Sequence, residues 1–174
     1  MNLLENETVR LRAVEPEDLD RLYTWENNPD LWDVGNTRQP YSRFLLKQYI
    51  ADSQKNIFET NQLRLMIESI STGETVGTVD LFDFDNFHSR VALGLFVDKS
   101  FQGKGFAKAA LHLVEDYVFN FLKLHQLYCH IAETNIASRR MFEKEGYEVN
   151  GFLKNWIRSI NGFENIIVFQ RFKN

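Results

Sequence analysis

Residues 90–123, RVALGLFVDKSFQGKGFAKAALHLVEDYVFNFLK, decide how the rest of the chain is read. An apolar run from Val91 to Val97 stops at Asp98, and a loop carrying Gly103 and Gly105 follows. From about Phe106 the apolar residues recur at helical spacing, with Ala107, Ala110, Leu111, Val114, Val118, Phe121 and Leu122 on one face. A strand, a glycine turn and a helix start, in that order, gather unpaired backbone N–H groups at the positive end of a helix. Such a point binds phosphate. Gly103, Gly105 and Ala107 are small enough to let an anion approach the backbone, and Lys104 and Lys108 add positive charge.

On either side of this stretch the pattern alternates between strand and helix. Thr8–Arg12 alternates Val9 and Leu11 with polar neighbours, as a short strand does. Pro16 followed by Glu17 and Asp18 suits a helix first turn, and that helix should end near Asn27-Asn28-Pro29. Asp30 to Tyr41 has no clean period and reads as a loop. After Ser42, the residues Phe44, Leu45, Tyr49 and Ile50 mark a second helical face. Leu63, Leu65 and Ile67 alternate in a strand, Ser71–Glu74 turns, and Val76–Phe82 returns ahead of the Asp83–Ser89 turn. Leu127–Ala132 is a further strand, and Asn135–Lys144 a helix stopped by Gly146. Phe152–Ile160 and Glu164–Phe172 flank Asn161-Gly162, a hairpin signal.

The order β α α β β β α β α β β predicts an α+β (mixed α/β) fold. Its central feature is one twisted mixed sheet of about six or seven strands with helices on both faces. The 174 residues suit a single domain over 1–174, and no linker, repeat or low-complexity segment divides them. A hydrophobic fraction of 44% and 15 Phe supply a large aromatic core. With a net charge of −4 and no basic stripe, nucleic acid is not expected as a partner. No apolar run approaches the ~18 residues of a membrane span, and the N-terminus lacks signal-peptide order, so a cytoplasmic location is expected. The single cysteine, Cys129, lies in an apolar strand and reads as a small buried hydrophobe. His88, His112, His125 and His130 are scattered; no Ser-His-Asp, Cys-His or metal-ligand spacing is visible, and no metal is expected.

Two familiar anion loops fail on named residues. A P-loop needs Gly-Lys-Ser/Thr, but Gly105 follows Lys104. A dinucleotide fingerprint needs Gly or Ala where Lys108 stands. The segment instead resembles the Gln/Arg-x-x-Gly-x-Gly/Ala signature of the GNAT superfamily of acyl-CoA-dependent N-acetyltransferases, filled here by Gln102, Gly105 and Ala107. A second stretch, Glu133-Thr134-Asn135-Ile136-Ala137-Ser138 with Phe142-Glu143-Lys144-Glu145-Gly146-Tyr147, is similar to the family's downstream motif. The likeness extends from Thr8 to Phe172.

The resemblance implies that acetyl-CoA lies between the Val91–Val97 and Leu127–Ala132 strands, with its pantetheine paired to backbone at Leu95, Phe96 and Val97. Its pyrophosphate would rest on Gln102, Gly103, Lys104, Gly105, Phe106, Ala107 and Lys108. Asn135, Ser138 and Phe142 would line the thioester side. The reaction implied is direct attack of an amine on the thioester, with the N–H of Leu95 or Phe96 donating to the carbonyl oxygen. An alkyl ammonium of pKa ~10 is deprotonated at pH 7 only at a cost of roughly 4 kcal/mol, so a base or water chain is needed. Asp80 and Glu133 are the carboxylate candidates. His130 is another, although histidines on alternating strands are commonly packed or surface residues.

Many relatives carry a tyrosine acid where this chain has Phe142. Either the thiolate leaves unassisted, its thiol pKa being ~8.5, or Tyr147, Tyr128 or Ser138 substitutes, or the chain binds acyl-CoA with little turnover. Leu11-Arg12, Glu17-Asp18-Leu19, Asn27-Asn28 and Pro40-Tyr41 look most like spermidine/polyamine and ribosomal-protein N-terminal acetyltransferases. Arg38 in the loop before Pro40 should repel a polyamine unless Asp33, Asp80 or Glu68 offsets it. The acceptor is therefore open between a polyamine, a peptide N-terminus and another small amine, and self-association as a homo-oligomer is open as well.

Overall fold

Of the strand–loop–helix stretch, Arg90–Val97 is the central strand β4 of a computed structural model that describes residues 2–32 and 37–173. The other strands are β1 (Val9–Ala13), β2 (Leu63–Ser69), β3 (Thr75–Asp85), β5 (Gln126–Ala132), β6 (Glu148–Ser159) and β7 (Gly162–Phe172). They form one seven-stranded sheet in the order β1-β2-β3-β4-β5-β7-β6. Every neighbouring pair is antiparallel except β4 and β5, which are parallel. A parallel pair needs a crossover, and helix α4 (Phe106–Asp116) supplies it.

Alternation sorts the two faces. Val91, Leu93 and Val97 of β4 join Leu127, Cys129 and Ile131 of β5 beneath Ala110, Leu111 and Val114 of α4. On the opposite face a smaller cluster of Val14, Leu22, Trp25, Ile50 and Met66 packs with Phe96. It is covered by α1 (Leu19–Glu26) and α2 (Arg43–Asp52). Helix α5 (Ile136–Lys144) buries Phe142 on the α4 side. The mixed sheet with helices on both faces is as the sequence predicted.

Several details differ from the sequence reading. In α2 the buried residues are Leu46 and Ile50, while Phe44 is 70% exposed. Ser42 caps this helix by accepting from the Leu45 N–H, the start the sequence implied; the face that packs inward is the one carrying Leu46 and Ile50. A one-turn helix, α3 (Ile57–Thr60), was not expected; Asn56 caps it through the Phe58 N–H. Beyond Asp116 the helix widens into a π-turn at Tyr117–Phe121. The widening shifts the helical register, so Phe119 is buried and Phe121 is 62% exposed, the reverse of the 3.6-residue expectation. In the last hairpin Ser159 pairs with Gly162. The two-residue loop is therefore Ile160-Asn161, with Gly162 (φ +121) opening β7. The loop expected over Asp30–Tyr41 falls partly on residues 33–36, among them Asp33 and Gly35, outside the described residues.

Candidate acyl-transfer site

The parallel pair holds for only three residues, Arg90, Val91 and Ala92 opposite Gln126, Leu127 and Tyr128. Beyond Ala92 the strands part, while β4 continues to pair with β3 on its other side as far as Val97. The result is a fork whose two inner backbone edges have no strand partner, the one on β4 leading to the glycine loop. Strand geometry identifies which groups face it, because alternate residues point their N–H and C=O to the same side. The Asp98 N–H donates to the Val76 carbonyl on the β3 side, and the Phe96 carbonyl lies against Gly77. Phe96 is thus turned to β3. Leu93, Leu95 and Val97 face the fork, as does Ser89, whose carbonyl accepts from residues 125 and 126 at the start of β5. The expected role of Phe96 in backbone pairing is corrected on this ground, and of the two candidate donors only Leu95 faces the fork.

Gly77 itself is required by the close approach, because a Cβ there would sit 2.0 Å from the Phe96 oxygen. Above the fork the glycine loop adopts the conformation its residues allow. Gly103 (φ +75) and Gly105 (φ +83) are both left-handed, and nothing lies within 4 Å of where a Cβ would point at either. Gly105 is the N-cap of α4 and offers no side chain. The N–H groups of Phe106, Ala107 and Lys108 therefore find no backbone partner among the described residues. The loop is braced from below: Gln102 Nε2 donates to the Val97 carbonyl at 3.1 Å. Asp98 accepts from the Ser100 N–H at 2.9 Å and from Trp25 Nε1 of α1 at 2.6 Å. Burial raises the Asp98 pKa, but the bonds from Ser100 and Trp25 outweigh it and hold the group below its ordinary value.

Gln102 is thus a brace. Lys108 is paired with Glu145 at 2.9 Å, and the Lys104 ammonium lies 5.4 Å from the Phe101 ring centroid. Free amides, an open cradle and an unpaired strand edge together suit the pyrophosphate and pantetheine of acetyl-CoA.

On the α1/α2 face, beside the fork, lies a cluster the sequence reading named only in part. Arg64 of β2 donates to both oxygens of Asp80, at 2.5 and 3.2 Å, and to Glu26 of α1 at 2.7 Å. Its guanidinium lies 5.4 Å from the ring centroid of Tyr49, whose hydroxyl burial pushes up to about 12. The Asp80 Cβ is 3.6 Å from where a Cβ on Gly94 would stand. Asp80 therefore borders the fork, as a carboxylate already paired. Glu26, Tyr49 and Arg64 went unassigned because they lie on three elements far apart in sequence. One sign was legible: Arg64 is the one cation of β2 and shares a face with the apolar Met66.

The remaining candidates separate. Glu133 accepts from the Asn165 amide at 2.7 Å, so it anchors β5 to β7. Asn135 caps α5 by accepting from the Ser138 N–H at 3.2 Å. Phe142 is 4% exposed and packs edge-on against Tyr147 and near Phe169. Tyr147 is equally buried, beside Glu115 and one residue before Glu148, which pairs with Gln170 and through it reaches Tyr128. That level is the closed end of the fork. The structure does not bring Tyr147 to the open edge, which corrects its expected place. Burial pushes the Cys129 thiol up to about 12, in line with an inert core residue.

Residues 8–148 match the sequence profile of the acetyltransferase (GNAT) domain. The chain is 27% identical over 148 residues to the spermidine N(1)-acetyltransferase of Vibrio cholerae, covering 85% of this chain and 83% of that one. It is 24% identical over 168 residues to a putative ribosomal N-acetyltransferase of Bacillus subtilis, covering 94% and 90%. The structure of the Vibrio spermidine enzyme in complex with CoA and spermine superposes with a TM-score of 0.84 at 24% identity, over 97% of each chain. Another structure of that enzyme, described as dodecameric, gives a TM-score of 0.79 at 23% identity, over 97% of this chain and 95% of that one. With a forked sheet, a glycine cradle at the head of α4 and a matching profile over most of its length, this chain belongs to the GNAT family of acetyltransferases and is an N-acetyltransferase.

Proposed function

We propose that the protein transfers the acetyl group of acetyl-CoA directly to a primary amine, with a polyamine such as spermidine as the first acceptor to test. The observation that carries this reading is the edge of Leu93, Leu95 and Val97, left without a strand partner where β5 parts from β4 and leading to the cradle at Gly103–Lys108. In this reading the cradle amides hold the pyrophosphate, the strand edge orients the pantetheine, and Ser138 and Phe142 flank the thioester. The Leu95 N–H donates to the thioester oxygen as charge develops on it, a contribution of about 3 kcal/mol for one well-placed donor. The acceptor enters from the α1/α2 face, where Glu26 and Asp80 attract an ammonium and Arg64 offsets one of their two charges.

A spermidine enzyme and a putative ribosomal enzyme both stand among the relatives, so a peptide α-amine is the second acceptor class. The buried Phe142, which has no proton to give, favours a second reading: a module that binds acyl-CoA without turnover. Release of free CoA from acetyl-CoA, measured with spermidine, a Ser- or Ala-initiated peptide and small monoamines, separates the two. Release several-fold above hydrolysis with at least one amine is expected. Tight CoA binding with no amine-dependent release would establish the binding module instead.

Phe142→Tyr tests the missing acid. Because a thiolate is a fair leaving group, kcat is expected to stay within about threefold of the parent. A tenfold rise would show that protonation of the sulfur limits the parent enzyme.

A further inference from the structure

Acetyl transfer to an amine removes a proton from nitrogen and expels a thiolate, yet the acids and bases nearest to hand are engaged. Asp80 would forfeit its bidentate pair with Arg64 on taking up a proton. Glu133 is held by Asn165, and Tyr147 is buried at the closed end of the fork. We propose that His130 is a catalytic residue that accepts the proton of the attacking amine and delivers it to the departing sulfur; the inference rests on the acetyl transfer proposed above.

Position comes first. Ala92 and Tyr128 are the last paired residues of β4 and β5, so Gly94 and His130 stand opposite each other where the strands begin to part. Both belong to the face that carries Asp80 and the α1/α2 cluster, since Asp80 pairs with Gly94 across β3 and β4. Gly94 adds no side chain of its own there, with Asp80 Cβ and Phe82 Cε1 each 3.6 Å from where its Cβ would stand, and His130 lies across from it on the other arm. Among the described residues the one aromatic partner of His130 is Tyr128, at 5.8 Å between centroids. On β7 the residue opposite is Val168, which carries no charge.

The charges around it agree. The carboxylate acting on His130 is Asp83 of β3, which also acts on Tyr128 together with Asp85 and Arg90. Part of the ring is open to solvent. Desolvation of the rest holds its pKa below the usual histidine value, opposed by Asp83. At pH 7 the imidazole is therefore mostly neutral and has a lone pair to offer.

The step balances. The nitrogen lone pair forms the N–C bond, the C–S bond breaks with its electrons going to sulfur, and the nitrogen proton passes to the free imidazole nitrogen. Nitrogen and sulfur are bonded to the same carbon during the exchange, so one ring within reach of the first serves the second. The imidazolium, more acidic than an ordinary histidine, protonates a thiolate whose thiol pKa is ~8.5. The ring returns to its neutral form. Phe142 is then no obstacle, because the proton that leaves nitrogen is the one sulfur receives.

The test is the pH dependence of kcat/KM for spermidine, or for the peptide amine if that is the better acceptor, with acetyl-CoA saturating. Two deprotonations, of His130 and of the amine, should make the logarithmic plot climb with double slope in acid. It should change to single slope above the histidine pKa. His130→Gln should lower kcat about 100-fold, show single slope throughout and bind CoA as the parent does. In His130→Ala, added imidazole should restore at least a tenth of the lost rate. A His130→Gln enzyme within about threefold of the parent, with the double slope retained, overturns the proposal. So does a His130→Ala enzyme that binds CoA normally but ignores imidazole. If the parent releases no CoA with any amine, acetyl transfer itself fails, and this step with it.

Discussion

Gly105→Val is expected to weaken CoA binding by at least about 100-fold, the equivalent of losing one or two charge-assisted hydrogen bonds. Gly105 has φ +83 and is the residue at which the loop becomes helix α4. Nothing within the chain meets a Cβ there, so the new side chain disturbs no protein packing and projects into the space the cradle leaves open. The branched residue also resists the left-handed conformation, at about 1–2 kcal/mol, which pulls the amides of Phe106 and Ala107 out of line. Calorimetric titration with CoA reads the affinity, and thermal melting of the free protein reports the strain separately. An unchanged dissociation constant would remove the glycine turn from the site.

Arg64→Ala is expected to cost about 3 kcal/mol of stability, because it strips the shared cation from two carboxylates packed around it. The Arg64 side chain is 21% exposed and makes three charge-assisted hydrogen bonds to Asp80 and Glu26. Its loss leaves both acids facing one another beneath α1 and α2, with Tyr49 missing its cation. For a chain of this size that corresponds to a fall in Tm of roughly 6–12 °C. Pairing Arg64→Met with Asp80→Leu should recover part of it, since an apolar pair removes the stranded charge as well as the bond. A melting point lowered by less than about 2 °C in Arg64→Ala would show that solvent reaches the cluster and screens it.

The hydrophobic alternation of Val91–Val97 and the small residues at 103, 105 and 107 were legible because they are local. A strand period, a positive φ and a helix start each need only a few consecutive residues. The element order followed from the same short-range rules, and with it the mixed sheet. Local rules failed where packing and helix register set the phase. Packing of α2 turned Leu46 and Ile50 inward and left Phe44 exposed. The π-turn at Tyr117–Phe121 likewise turned Phe121 outward and Phe119 inward.

In the site, the residues at 103–105 were enough to expect an anion-binding turn there. What stands beside the fork was settled by tertiary packing. Arg64, Asp80 and Glu26 meet because β2, β3 and α1 are brought together by sheet order and helix packing. No spacing along the chain encodes that meeting. Likewise only the divergence of β4 and β5 after Ala92 assigns the open edge to Leu93, Leu95 and Val97 and turns Phe96 away. The same divergence places His130 opposite Gly94 where the two strands begin to part, because register is set by strand pairing and not by spacing along the chain.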